Sequence, residues 1–144
     1  MATKKLAPLS VPPRSRYQTA RAALTAALKL IQKPGRWAQY EFAVNCDGVR
    51  VKKIRSKSSV AFCALGAVKF IDGPGEKKAS RLLARAAYEL IEGDITDEDD
   101  VTEKSIFDVN DNKDVKTSRR QVIQMFKRAI AMAKDRKLVK SLSV

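Results

Sequence analysis

The sequence predicts a mainly α-helical protein, a compact bundle of about four helices with a short β-hairpin between the first helix and the second. Four segments carry apolar residues at spacings of three and four, the period of an amphipathic helix. Pro and Gly separate these segments, and one Asp-Gly turn lies near alternating valines. The length of 144 residues suits a single domain with a buried core.

The amino-terminal part of the chain divides into an arm and the first helix. Residues 1–14 hold three prolines and scattered Lys and Arg without periodicity, so we expect a flexible basic arm. Apolar residues then recur through residues 15–32, and Pro34-Gly35 ends this predicted helix. The single helical domain is expected to span residues 15–137, and residues 138–144 to fray.

The next segment predicts the hairpin and a buried second helix. The Asp47-Gly48 pair is a tight-turn signal, so residues 40–45 are expected to pair with residues 49–54. Ser59 is a suitable cap for a helix that runs to Ile71. This helix is apolar on nearly all sides, which predicts that it is central and the most buried.

Two further helices complete the predicted bundle. Residues 77–92 show an amphipathic pattern, and residues 93–116 read as a long acidic loop anchored to the core by Ile106, Phe107 and Val109. The last helix is expected to start near Ser118, because Ser118-Arg-Arg-Gln121 resembles a capping box.

The charge of the chain is large and unevenly placed. The net charge is +13, with eight basic and no acidic residues in 1–36, nine acidic against two basic in 94–114, and nine basic against one acidic in 115–144. Such a distribution attracts anionic partners. It predicts contact with nucleic acid or an acidic protein through cationic side chains; a merely solvated basic face is the alternative. The candidate contacts are Arg14, Arg16, Arg21, Arg50, Lys52, Lys53, Arg119, Arg120, Lys127 and Arg128.

The residue types present argue against common catalytic and metal sites. The chain has no histidine and only two cysteines, so neither a Ser-His-Asp triad nor an ordinary Cys/His zinc site can form within it. Cys63 lies in an apolar run, where we expect an inert thiol with a raised pKa. We therefore predict no catalytic residues and no cofactor.

Two loop segments resemble a calcium-binding loop and a phosphate-binding loop only superficially. Residues 108–114 begin like a calcium loop, but Lys113 replaces the turn glycine and Arg119 stands where the bidentate glutamate belongs. Residues 73–78 lack the spacing of a phosphate loop. Neither motif supports a metal or nucleotide site.

No segment predicts membrane insertion or secretion. The longest apolar run has nine residues, and no hydrophobic stretch follows the basic amino terminus. We expect a soluble, cytoplasmic protein without a membrane partner.

Three short stretches carry a resemblance: Trp37-Ala-Gln with Asp47-Gly48, Ala61-Phe-Cys-Ala-Leu-Gly-Ala67, and Val109-Asn-Asp111 before a final amphipathic helix. Read together across residues 20–134, the sequence resembles an uncharacterised family of small helical proteins of bacteria and tailed phages. The resemblance implies a compact helical fold and no particular activity, substrate or cofactor. The residues at the family positions are Trp37, Cys63, Gly66, Asn110 and Asp111.

Structural roles are expected for the family positions. Gly66 would permit close helix–helix approach, and Asn110-Asp111 would tie the long loop to the start of the last helix.

The functional expectation is a non-enzymatic binding protein, such as a phage accessory or host-interaction factor. A structural component of a larger particle such as a virion is the alternative, and an enzyme is the third reading.

Overall fold

The computed structural model describes residues 6–142, which form six α-helices, one short 3-10 helix and a two-stranded antiparallel sheet. The mainly α class is confirmed, whereas the count of four helices is wrong. In chain order the elements are α1 (Ala20–Gln32), β1 (Ala43–Val44), β2 (Ala61–Phe62), α2 (Ala64–Ile71), α3 (Glu76–Glu92), the 3-10 helix (Glu98–Asp100), α4 (Lys104–Asn110), α5 (Val115–Ala133) and α6 (Arg136–Ser141).

Helix α1 starts five residues later than its apolar pattern predicts. Thr19 is the N-cap, and its Oγ1 accepts a hydrogen bond from the Ala22 amide at 3.1 Å. The buried side of α1 consists mainly of Ala and Leu, and it packs against α2, α3 and α5.

The predicted pairing of residues 40–45 with residues 49–54 forms only beside the turn, where the Val51 amide donates to the Ala43 carbonyl at 2.9 Å. The regular sheet is formed by β1 and β2, in the register Ala43 opposite Phe62, and residues 49–54 add a bridge from Arg50 to Val44. The turn itself is present, since Gly48 has φ of +76° and the Asn45 amide donates to the Val49 carbonyl. Residues 59–62 are buried and must pair their backbone groups, so residues 61–62 take the strand position.

Helix α2 therefore begins at Ala64, and Ser59 does not cap it. Val60, Ala61 and Phe62 are extended, and Cys63 is the N-cap. The expectation of a central, buried helix is confirmed, because every residue of α2 except Lys69 is buried. Phe62 and Phe70, with ring centroids 4.6 Å apart, join the sheet to this helix.

The predicted acidic loop 93–116 contains a helix. Ile106 and Val109 are buried anchors as expected, and they reach the core from α4. Helix α5 starts at Val115 because Asp114 caps it, accepting hydrogen bonds from the amide and hydroxyl of Thr117. The predicted capping box is wrong, since Ser118 lies inside α5 and is fully buried.

Both ends of the described chain lie against the domain. Arg36 donates to the Ala7 carbonyl at 2.8 Å, Arg55 donates to the Pro12 carbonyl, and Leu9 packs on the core. Residues 1–5 of the predicted arm lie outside the described residues. Helix α6 occupies much of the segment expected to fray, and the last two residues of that segment are also outside the description.

None of the helices in residues 6–142 is both long enough and apolar enough to cross a membrane.

Gly66 is required for the contact between α2 and the chain before β1. A Cβ atom at this position would lie 1.9 Å from the carbonyl oxygen of Phe42. The expected role of Gly66 in close approach is thus correct, but the neighbour is the Phe42 backbone and not a second helix.

We predict that Gly66→Ala lowers the free energy of unfolding by at least about 3 kcal/mol, because the Phe42 backbone must move away from α2. Chemical denaturation measures this loss. Gly93→Ala is the control, since Gly93 has φ of +92° but no atom near its added Cβ. Equal losses for the two variants would contradict a steric role for Gly66.

Candidate nucleic-acid interface and the Asn110 cluster

A line of cations runs along α5. The exposed side chains of Lys116, Arg120 and Lys127 and of the C-cap residue Lys134 are spaced by four, seven and seven residues, so they fall on one side of the helix. We call these four residues the α5 stripe. It is about 27 Å long at 1.5 Å per residue. Helix α5 contains no Asp or Glu, so no carboxylate of its own helix interrupts the stripe.

A second cationic region adjoins α1, which packs against α5 and likewise contains no acidic residue. Arg16, Lys29 and Lys33 line a groove of about 380 Å³ between the arm and α1. The groove also has apolar side chains, including Leu30 and Phe70, and within the described chain its lining includes no carboxylate. The groove and the α5 stripe both have the charge that attracts an anion.

Several predicted contact residues are already engaged within the protein. Arg14 pairs with Asp72 at 2.9 Å, Arg50 with Glu41 at 3.9 Å, and Arg128 with Glu89 at 3.1 Å. Within residues 6–142, the other candidates apart from Arg119 make no side-chain hydrogen bond or ion pair. These are Arg16, Arg21, Lys52, Lys53, Arg120 and Lys127.

The Arg119 side chain has a structural role within the protein. Its guanidinium donates to the Ile31 and Gln32 carbonyls at 3.1 and 3.3 Å and lies 5.6 Å from the ring centroid of Trp37. A cation at the carboxyl end of a helix is favourable because carbonyl groups there lack helical partners. Arg119 thus joins the start of α5 to the end of α1.

The acidic segment, residues 94–103, contacts α3. Glu98 pairs with Arg81 and Arg85 of that helix, and Arg81 also donates to the Val101 carbonyl. The remaining carboxylates of residues 94–103 are exposed. Because the ion pairs of the segment are with α3, they do not neutralise the α5 stripe.

Asn110 connects three parts of the chain through one buried amide. Its Oδ1 accepts from the Trp37 indole at 2.8 Å and from the Ala64 amide at 2.9 Å. Its Nδ2 donates to the Ala38 carbonyl and to Asp111 Oδ1, so two donors and two acceptors are all satisfied. The side chain is fully buried.

These contacts correct the expected role of Asn110 and Asp111. The pair ties α4 to the Trp37 segment and to the start of α2, since Asp111 also accepts from the Tyr40 amide at 2.8 Å. The link from α4 to α5 is made by Ser118, whose hydroxyl donates to the Val109 and Asn110 carbonyls. We name Trp37, Cys63, Asn110 and Asp111 the Asn110 cluster.

Cys63 is a cap and not a mid-helix residue. Its Sγ accepts a hydrogen bond from the Gly66 amide at 3.3 Å. Burial raises the pKa of the Cys63 thiol from 9.0 to about 11, although the Gly66 hydrogen bond acts in the opposite direction. A thiol in this state is a poor nucleophile at neutral pH.

The described residues contain no group of three or more His, Cys, Asp or Glu side chains placed to hold a metal ion. Within the rejected calcium motif, Asp108 pairs with Lys104 at 2.9 Å, and Asp114 caps α5. The carboxylates of this motif therefore have local structural partners.

Two cations of the α5 stripe were missed by the sequence analysis. The predicted loop 93–116 includes Lys116, and the predicted contacts do not include Lys134. The signal was present, because Asp114 stands three residues before Thr117 as a helix cap does. With the earlier start, the spacing from Lys116 to Lys134 predicts one cationic side.

The fold defines a mainly helical protein with a small antiparallel sheet. A family model matches residues 15–132, and the chain therefore belongs to DUF6197, a family of unknown function. Comparisons with curated proteins and with solved structures found no match.

We predict that Asn110→Ala lowers the free energy of unfolding by about 3–5 kcal/mol, because it leaves the Trp37 indole and the Ala64 amide without their acceptor. Chemical denaturation followed by Trp37 fluorescence reports the change. Asn112→Ala, at an exposed position, should cost about 1 kcal/mol or less. A loss for Asn110→Ala no greater than that for Asn112→Ala would show that the buried amide is not a structural centre.

The thiol of Cys63 predicts a pH dependence of stability. The folded pKa of about 11 exceeds the reference value of 9.0, so the protonated thiol contributes to the free energy of unfolding. This contribution is fully present below pH 9 and is lost as pH rises to 11. The loss is roughly 2–3 kcal/mol. It should be absent in Cys63→Ser, which keeps a capping side chain, so the difference between the two proteins isolates the thiol. Parallel pH curves would contradict a buried, protonated Cys63.

Proposed function

We propose that this protein is a non-enzymatic binding protein whose α5 stripe contacts the phosphate backbone of nucleic acid. The observation that carries the proposal is the stripe itself, in which three exposed cations of α5 and its C-cap Lys134 lie on one side of a helix that has no carboxylate. Lys and Arg that neutralise phosphates release condensed counterions, and this release drives sequence-independent binding.

The surface of α5 favours nucleic acid over an acidic protein as the partner. Protein interfaces have apolar or aromatic centres surrounded by polar residues. Among the described residues of α5, Val115 is the only exposed large hydrophobic side chain, and it stands at the end of the helix. A row of cations without an apolar centre is suited to a regularly charged backbone.

The groove beside α1 is a second cationic region that supports the proposal. Its three cations add positive potential next to a helix that packs on α5, while the ion pairs of the acidic segment lie on α3. The ion pairs of Glu98 therefore leave the α5 stripe available to an anion, while Arg128 of α5 pairs with Glu89 of α3. The phage or bacterial setting and a cytoplasmic location belong to the same proposal.

We predict that replacing Lys116, Arg120, Lys127 and Lys134 with glutamine weakens binding to duplex DNA or RNA and flattens its salt dependence. Each lost phosphate contact should change the log–log slope by about 0.9. Fluorescence anisotropy across a range of salt concentrations measures the slope, and circular dichroism checks the fold.

The matched control replaces Lys57, Lys77, Lys104 and Lys140 with glutamine, the same change in net charge at exposed positions that are not candidate contacts. This variant should retain the wild-type slope. Equal weakening of nucleic-acid binding in the two variants would show that net charge alone causes the effect. It would overturn the proposal that the α5 stripe is the contact surface. No binding of wild-type protein at low salt would overturn nucleic acid as the partner.

A further inference from the structure

We propose that a small cavity beside the Asn110 cluster binds an organic cation, with an ammonium or guanidinium group as the recognised chemistry. The cavity has a volume of about 210 Å³ and is lined by Tyr40, Glu41, Phe42, Cys63, Phe107 and Asp111. This site is separate from the proposed nucleic-acid surface and opposite to it in charge.

The charge of the lining selects a cation. Glu41 and Asp111 contribute carboxylates, and the described residues that line the cavity include no Lys or Arg. Among the described residues Glu41 makes one ion pair, with Arg50 at 3.9 Å, whose side chain is 70% exposed, and Arg50 and Lys52 line the adjoining cavity. A contact of this length at the surface is weak, so it leaves the Glu41 carboxylate able to bind a ligand cation.

The aromatic side chains supply the second part of the recognition. Tyr40 is 66% exposed and Phe42 is 40% exposed, although large aromatic residues usually bury their surface. Phe42 and Phe107 meet edge to face, with centroids 5.7 Å apart. Ring faces attract ammonium and guanidinium groups through their quadrupole, and nearby carboxylates strengthen the attraction.

The segment that carries these rings is held in place before any ligand binds. Tyr40 has φ of +71°, and Asp111 accepts a hydrogen bond from its amide. The Phe42 carbonyl accepts from the Cys63 amide at 3.3 Å and lies against Gly66. A ring and a carboxylate that are already positioned lose little conformational entropy when a ligand binds.

The cavity volume limits the ligand to a small group. Drug-sized pockets span about 300–1,000 Å³, so this cavity accepts the end of one side chain or a small alkylammonium ion. The same cationic group reaches it either as a free molecule or as an Arg or Lys side chain of a peptide. Probes of both kinds distinguish these sources.

The experiment titrates the protein with N-acetyl-arginine amide, tetramethylammonium and a Gly-Arg-Gly peptide, and follows backbone amide chemical shifts. We expect saturable shifts at residues 40–42, 107 and 111 with at least one of the cations. The neutral probe N-acetyl-norleucine amide should produce none. Tighter binding of the peptide than of the free cations identifies a peptide ligand, and the reverse identifies a free molecule; both support the cation site.

Two variants separate binding from folding. Glu41→Gln should weaken the cation about threefold or more, whereas Asp99→Asn, an equal change of charge at an exposed site, should not. Tyr40→Gly should weaken binding similarly while the melting temperature stays equal or rises, since glycine relieves the positive φ.

The inference is overturned if no cation shifts these amides, if the neutral probe shifts them equally, or if both Glu41→Gln and Tyr40→Gly bind as the wild type does. None of these outcomes depends on whether the glutamine variants of the α5 stripe bind nucleic acid. The cation site and the nucleic-acid surface therefore succeed or fail separately.

Discussion

The buried amide of Asn110 is the interaction on which the arrangement of the other elements depends. A side-chain amide has two donor hydrogens and an acceptor oxygen, and here Trp37, Ala38, Ala64 and Asp111 satisfy them in full. A partly formed site is unfavourable in free energy, because any polar group without its hydrogen-bond partner would remain buried away from water. The Trp37 segment, the start of α2 and the end of α4 must therefore all be in place for this site to form.

This constraint explains positions that local preference does not. The Ala64 amide is bound by Asn110 and the Gly66 amide by Cys63, so the start of α2 has its orphan donors satisfied at these residues and not at Ser59. The same packing brings the Phe42 carbonyl onto Gly66, where no Cβ fits. Ser118 then connects α4 to α5 through two carbonyls, which sets where the cationic side of α5 begins.

The fold also sorts the charges of a chain with a net charge of +13. Arg119 and Arg55 are used internally on helix-end carbonyls, and Glu98 is held by two arginines of α3. The cations that remain on α5 lie in a line, and a small region of opposite charge with exposed aromatic rings forms beside Asn110. Net charge alone predicts an anionic partner but does not reveal this second region, because it depends on which residues meet in space.

The sequence by itself determined the helical class, the buried character of α2, the turn at Asp47-Gly48 and the anchoring of Ile106 and Val109. These features follow from apolar periodicity and from residues with local backbone preferences. Only the tertiary structure decided that β1 pairs with residues 61–62, that α4 forms within the predicted loop 93–116, and that Asp114 rather than Ser118 caps α5. In each case local preference alone allowed more than one arrangement, and the observed arrangement buries apolar groups while pairing most of the buried polar groups of the described residues.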